Sequence, residues 1–93
     1  MARNFRICAK ENNNQTINIA LFGDFDASSA CELIHVLDAN VNHAAKVAID
    51  TNGLRTINVF GLEVLLPRMS SLANRRADIE VFGRFSSIFQ EQG

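Results

Sequence analysis

The spacing of apolar residues changes along the chain between every second residue and every third or fourth. The segments "NFRICAK" and "TINIALFG" have apolar side chains at every second position, which is typical of strands with one buried face. These positions are Phe5, Ile7 and Ala9 in the first segment and Ile17, Ile19 and Leu21 in the second. The stretch "ENNNQ" between them predicts a hairpin turn, because Asn tolerates left-handed backbone angles.

A first helix is predicted to begin near Ala27, where the spacing becomes helical. Asp26 is a good N-cap, and Ser29 with Glu32 offers a capping box one turn later. The predicted buried face consists of Ala30, Leu33, Ile34, Leu37 and Val41.

A second helix is predicted from about Val59 to Ala73. Pro67 lies inside it and lacks an N–H for the Glu63 carbonyl, so we expect a kink. The residues predicted to face the sheet are Leu62, Leu65, Leu66, Met69 and Leu72.

The remaining segments complete an alternating order of strands and helices. "KVAID" is almost continuously apolar, as central parallel strands are, and "TNG" after it predicts a turn. "ADIEVFG" predicts a last strand, and "RFSSIFQEQ" a closing helix that buries Phe85, Ile88 and Phe89. We therefore expect residues 1–93 to form one α/β domain. Its mixed sheet of four to five strands has an antiparallel first hairpin, then parallel strands around Ile19, Ala48 and Val81, and about three helices cover it.

Composition limits the classes of partner and compartment. A chain of 93 residues with 47% apolar residues can bury one core. The net charge of −1 comes with scattered basic residues, which argues against nucleic-acid binding. Cys8 and Cys31 lack metal-ligand or disulfide spacing and are predicted to be buried thiols. No apolar run reaches the length of a membrane span, so we expect a cytoplasmic protein without membrane insertion.

Few residues offer catalytic or metal-binding chemistry. Asp24, Asp26 and Asp50 could hold magnesium at strand ends, but helix capping by Asp26 and strand closure by Asp50 are simpler interpretations. His35 and His43 lack partners at metal-ligand spacing and are predicted to lie at the surface or a helix end. No phosphate-binding loop and no nucleophile with its base can be assembled. We therefore expect no enzyme activity, no metal and no cofactor.

The order of several short motifs resembles the STAS domain, which sulphate transporters and anti-sigma factor antagonists share. The resemblance runs through "IALFGDFDASSACELIHVL", "KVAIDTNGLRTINVFGLEVLLPRMSSL" and "DIEVFGRFSSIF". Gly23 and Asp26 match the family's G-x-[LF]-D after the second strand, and Asp50 matches the Asp that ends its next strand. Gly61 and Leu62 match the end of the D-S-S-G-L motif that opens the second helix.

The chain departs from the family at the motif that carries the family's switch. The resemblance implies that the partner kinase phosphorylates the first Ser of D-S-S-G-L in anti-sigma factor antagonists. The matching residues here are Asn58, Val59 and Phe60, and Val59 has no hydroxyl. The resemblance therefore implies a protein that is not phosphorylated at the usual position.

Phe60 admits two interpretations. It could fold back as a hydrophobic staple onto Leu21 or Leu54, or it could stay exposed as an apolar anchor for a protein partner. The resemblance favours the second, because the family docks its partners across this edge. The predicted partner-binding residues are Asp24, Asp26, Ser28, Ser29, Thr56, Asn58, Val59, Phe60, Gly61 and Glu63.

Three functions are compatible with this site. The first is a non-enzymatic interaction module similar to an anti-sigma factor antagonist, whose partner is an anti-sigma factor of the serine-kinase kind. The second is a small cytoplasmic STAS subunit that docks on the ATPase of a lipid transporter. The third is a sensor of a nucleotide or another small ligand. The sequence does not predict the oligomeric state.

Overall fold

The computed structural model describes residues 4–12, 15–40, 46–73 and 78–90. The elements in chain order are β1 (Arg6–Glu11), β2 (Thr16–Phe25), α1 (Ala27–Asn40), β3 (Lys46–Ile57), α2 (Val59–Ala73), β4 (Asp78–Phe82) and α3 (Ser86–Gln90). The predicted alternation of strands and helices after a first hairpin is confirmed. None of these described helices is long and apolar enough to cross a membrane.

The strands form one mixed sheet in the order β1-β2-β3-β4. β1 pairs antiparallel with β2, whereas β2 with β3 and β3 with β4 are parallel. Ile19 lies opposite Ile49, and Ile49 opposite Val81, so the apolar centres of the parallel strands are in register. The predicted mixed α/β sheet, antiparallel at the first hairpin and parallel thereafter, is confirmed.

The core lies between one face of this sheet and the helices. α1 contacts β2, α2 contacts β4, and the two helices contact each other. The buried side chains form one cluster that includes Ile17, Ile19 and Leu21 of β2, Val47 and Ile49 of β3, Ala30, Leu33 and Leu37 of α1, and Leu65 of α2. Burial of a Leu or Ile side chain stabilises the fold by roughly 1.5 to 3 kcal/mol, so the periodic residues account for much of the driving force.

The predicted buried face of α2 is only partly correct. Leu65 is fully buried, and Leu62 and Met69 pack against the core as partly buried side chains. Leu66 is half-buried rather than part of the fully buried set. α2 continues through Pro67, and the expected kink there stays a prediction.

The predicted turn at "TNG" is wrong, because β3 continues through these residues to Ile57. The β2–β3 pairing stays parallel, but its register shifts between the Ala20–Asp50 pair and the Phe22–Gly53 pair. An extra residue in one strand of a pair makes a β-bulge. The turn-forming residues thus bend a long strand instead of ending a short one, and Asp50 does not close β3.

Partners far along the chain hold this bulge. The Thr51 hydroxyl donates to the carbonyl of Phe82 at 2.9 Å and accepts the N–H of Phe85 at 3.1 Å. The Asp50 carboxylate accepts the N–H of Asn52 at 2.9 Å. Thr51 is fully buried, so the bulge is tied to the end of β4 and to the residues that lead into α3.

Several predictions of burial are wrong. Cys8 and Cys31 are both exposed. Ala9 is exposed although it is on the same face of β1 as Phe5 and Ile7, because β1 lies at the edge of the sheet. Ile88 of α3 is also exposed.

Other residues of these sets are placed as expected or lie outside the described part. Phe89 is buried and Phe85 partly buried, as predicted for the closing helix. His35 is exposed. Val41, His43 and the side chain of Leu72 are outside the described residues.

Candidate functional site

The carboxyl ends of β2 and β3 and the first turns of α1 and α2 meet at one edge of the domain. The N–H of Asn58 donates to the carbonyl of Phe25 at 2.8 Å, which joins the start of α2 to the end of β2. Gly61 is buried against the residue before α1, since an added Cβ would lie 2.8 Å from the carbonyl carbon and oxygen of Asp26. The two helix starts are therefore direct neighbours, as the parallel strand order predicts.

Asp26 caps α1, as predicted from the sequence. Its carboxylate accepts the N–H of Ser29 at 2.9 Å, which satisfies one of the free donors in the first turn. The Ser29 hydroxyl is buried and donates to the carbonyl of Asp24 at 2.9 Å, and it lies 3.1 Å from the Asp26 carboxylate. The predicted capping box between Ser29 and Glu32 is therefore wrong, because the Ser29 side chain bonds backwards to the end of β2.

The hydrogen bonds at this cap lower the pKa of the Asp26 carboxyl below its ordinary value of 3.8. The backbone N–H of Ser29 is the main cause, and its hydroxyl adds to the effect. The carboxylate therefore stays ionised at neutral pH, where its charge also suits the positive end of the helix dipole.

Asn58 caps α2 in the same manner. Its side-chain oxygen accepts the N–H of Phe60 at 2.9 Å, and its carbonyl accepts the N–H of Gly61 at 2.9 Å. An Asn is among the best N-cap residues, so its position immediately before Val59 specifies where α2 begins. The cap fixes the backbone of Val59 and Phe60 at the end of β3.

A charged and polar cluster lies at the ends of β2 and β3. The Asp24 carboxylate accepts the Thr56 hydroxyl at 2.8 Å and two nitrogens of the Arg55 guanidinium at 3.2 and 3.4 Å. The hydrogen bond from Arg55 lowers the pKa of Asp24, and the bond from Thr56 lowers it further. The Arg55 side chain is 67% exposed, so this ion pair lies open to solvent and contributes little stability.

Val59 and Phe60 are exposed apolar side chains in the first turn of α2. Their exposed fractions are 58% and 63%, the two highest among the large apolar residues that the structure describes as exposed. The staple of Phe60 onto Leu21 or Leu54 is therefore not formed. Leu21 and Leu54 are almost fully buried without it.

The ten predicted site residues divide into two groups. Asp24, Asp26, Ser28, Thr56, Asn58, Val59, Phe60 and Glu63 are exposed or half-buried, and we call them, together with Arg55, the helix-start surface. Ser29 and Gly61 are buried, so they position this surface and do not form part of it.

Arg55 is the member of the helix-start surface that was not predicted from the sequence. Its partner Asp24 is 31 residues away, and Asp24 lies opposite Thr56 only after the β2–β3 register has shifted twice. A count along uninterrupted parallel strands would therefore have paired the wrong residues. The signal that could have identified Arg55 is its position beside Thr56 at the end of a long β3.

The acidic residues considered for magnesium do not form one cluster. Asp50 pairs with Ala20 in the sheet, whereas Asp24 pairs with Thr56, six residues further along β3. Within the described ranges, no group of three or more His, Cys, Asp or Glu side chains could hold a metal ion.

Comparisons with known proteins identify the fold. No family model matches the chain, and no curated protein matches it in sequence. A solved anti-sigma factor antagonist from Mycobacterium paratuberculosis superposes with a TM-score of 0.72 at 16% identity, covering 95% of this chain and 75% of that chain. SpoIIAA, an anti-sigma factor antagonist solved in its unphosphorylated form, gives 0.68 at 18% identity, with 95% and 81% coverage.

A third solved structure agrees with these two. The STAS domain of an antisigma-factor antagonist from Rhodobacter sphaeroides has a TM-score of 0.68 at 12% identity, covering 85% of this chain and 86% of that chain. These identities are low, so the likeness concerns the fold. The strand order, the helix positions and these superpositions together show that the chain has the fold of the STAS domain.

Proposed function

We propose that this chain is a non-enzymatic protein-interaction module that binds one protein partner through the helix-start surface. The observation that carries the proposal is the exposure of Val59 and Phe60 side by side in the first turn of α2. An exposed Phe side chain keeps apolar area in contact with water, which is unfavourable in the free protein. A partner that covers this side chain removes the area from water and gains the corresponding free energy.

The residues around this apolar pair suit the rim of a protein interface. Arg55, Asp24 and Thr56 form an exposed hydrogen-bonded cluster at the end of the adjoining strands. Interfaces that bind proteins commonly have an apolar centre with aromatic anchors and a polar, solvent-accessible rim. A nucleotide, by contrast, requires concentrated phosphate-binding donors, and the apolar pair does not provide them.

The surface is also held rigid before binding, which reduces the entropy lost on association. The Asn58 cap fixes the start of α2, and the close approach of Gly61 to Asp26 fixes α2 against the end of β2. The side chains of Val59 and Phe60 are therefore presented from a helix whose position is set by two independent contacts.

The proposed partner is an anti-sigma factor of the serine-kinase kind, and the solved structures with this fold include proteins described as anti-sigma factor antagonists. Val59 stands where these relatives are expected to have the phosphorylated Ser, so we propose that the chain binds without a phosphorylation switch at this position. A phosphoryl group there would add about −1.5 to −2 charges and oppose an apolar contact. In this proposal residues 1–93 act as a single cytoplasmic domain without a cofactor.

A photo-crosslinking amino acid at position 59 tests the proposal. We expect ultraviolet light to join this variant to one protein in the source cells, and mass spectrometry of the adduct to identify a serine-kinase-like anti-sigma factor. The matched control carries the crosslinker at Ala39, an exposed residue in the last turn of α1. Equal adducts at positions 59 and 39 would contradict a partner site at the helix starts, and an adduct with a transporter ATPase would support the alternative function instead.

A further inference from the structure

The face of the sheet opposite the helices is uncovered in the described part of the chain. Successive strand residues point to opposite faces, so the residues that alternate with the core line this face. Phe22 and Phe82 are 40% and 44% exposed there. With Cys8, Ala20 and Ala48 they line a shallow groove of about 440 Å³. We call this surface the open sheet face.

Charges of opposite sign lie at its two edges. On β1 the residues that share this face are Arg6 and Lys10, opposite Phe22 and Asn18 of β2. On β4 they are Asp78 and Glu80, opposite Lys46 and Ala48 of β3. Lys46 already pairs with Glu80 at 3.3 Å. With Asp50 included, three basic and three acidic residues make the face neutral as a whole, and it is basic at the β1 edge and acidic at the β4 edge.

We propose that the open sheet face binds a second copy of this chain, through a two-fold axis parallel to the strands. Such an axis places β1 of each copy over β4 of the other. Positions along the strand direction do not change, so each row of residues that runs across the four strands lies over the same row of the second copy. Lys10 then faces Glu80 of the second copy, twice, and Cys8 faces Phe82 across the apolar centre. Sheets that stack in this aligned manner lie about 10 Å apart.

The charge pattern excludes the other two-fold arrangement of stacked sheets. An axis perpendicular to the strands would place β1 over β1 and bring Arg6 and Lys10 of one copy against the same residues of the other. Like charges at an interface oppose association, whereas complementary edges favour it and fix the orientation. The neutral face with opposed edges is thus complementary to itself, which is the reason to assign it to a second copy.

The small size of the face limits the strength of the dimer. Four strands about 4.8 Å apart and six residues of about 3.3 Å each give a footprint of roughly 400 Å² per copy. This is about half of the roughly 800 Å² per partner in a standard interface. Asp50 in the centre adds a desolvation cost. We expect a dissociation constant on the order of 100 μM, with weaker association at high salt.

Charge reversal tests the pairing of Lys10 with Glu80. Sedimentation velocity of the unaltered chain from about 10 μM to about 1 mM should show a monomer–dimer equilibrium. Lys10→Glu and Glu80→Lys should each weaken the dimer by about tenfold, because each places like charges together twice. The double variant restores opposite charges and should return to within about threefold of the unaltered chain.

Two controls separate this dimer from other effects. Glu32→Lys makes the same charge change as Glu80→Lys, but on the exposed side of α1, and should leave the dissociation constant of the dimer unchanged. Val59→Asp should also leave it unchanged, so a failed partner interaction would not be mistaken for a failed dimer. A monomer throughout the concentration range would overturn the proposal. So would a dimer that Lys10→Glu and Glu80→Lys do not weaken, or a double variant no tighter than the single ones.

Discussion

Gly61 is the residue whose replacement most directly disturbs the helix-start surface without touching its exposed side chains. It is buried, and an Ala Cβ there would lie 2.8 Å from the carbonyl carbon and oxygen of Asp26 and 3.0 Å from the ring of Phe25. Contacts below 3.0 Å with backbone atoms cannot be relieved by a side-chain rotation. Gly61→Ala must therefore push the first turn of α2 away from the end of β2.

Two effects of opposite sign set the magnitude. Ala is favoured over Gly inside a helix by up to about 1 kcal/mol, although the gain is smaller in the first turn. Overpacking of a close contact costs about 1 to 3 kcal/mol, and the backbone atoms of Asp26 leave little room to relax. We expect the clash to be the larger effect, with a net loss of about 1 to 2 kcal/mol in the free energy of unfolding.

Urea denaturation of Gly61→Ala beside the unaltered chain measures this loss as a lower midpoint at an unchanged slope. The displacement of α2 should also reduce the affinity for the partner, since Val59 and Phe60 move with the helix start. A variant at least as stable as the unaltered chain would refute the close packing of α2 on the end of β2. The geometry of the helix-start surface depends on that packing.

Three further predictions concern stability. Leu65→Ala should lower the free energy of unfolding by about 2.7 to 5 kcal/mol, and Leu66→Ala should lower it by clearly less, because only Leu65 of the two is fully buried. Equal urea midpoints for the two variants would contradict this difference. Ser29→Ala should cost about 1 to 3 kcal/mol in the same assay, because it leaves the carbonyl of Asp24 without its buried hydroxyl donor. The pKa of Asp26 is lowered in the folded state, so its stabilising effect is complete above the ordinary value of 3.8 and is lost as the pH falls through the folded value. Asp26→Asn retains a good cap without titrating, so its stability should fall less than that of the unaltered chain between about pH 4 and pH 2.

The helices and most strands could be predicted because their signals are local. The range predicted for α2, from Val59 to Ala73, is the observed one, and Asp26 caps α1 as its position indicated. Apolar spacing reports which side of an element is buried, and caps report where a helix begins. The partner role of Val59 and Phe60 was predicted from the resemblance to the STAS domain and not from this local pattern.

The errors arose where distant partners decide the local structure. "TNG" has good turn residues, yet the Thr51 hydroxyl bonds to the carbonyl of Phe82, 31 residues away, and the strand continues with a bulge. Arg55 was missed because that bulge changes which residues face each other. Cys8 was expected in the core although it lies between Ile7 and Ala9 of the predicted buried face; it is on the opposite face of the sheet, which has no described cover, and is exposed.

The affinity of the identified partner for three single variants tests the central claim most directly. In isothermal titration calorimetry, Val59→Asp and Phe60→Ala should each weaken binding by more than about 1 kcal/mol, or roughly fivefold or more, while the fold stays intact. Phe82→Ala removes an equally large exposed ring from the open sheet face and should leave the partner affinity unchanged. Equal losses for Phe60→Ala and Phe82→Ala, or no loss for Val59→Asp and Phe60→Ala at matched stability, would contradict a partner site at the start of α2.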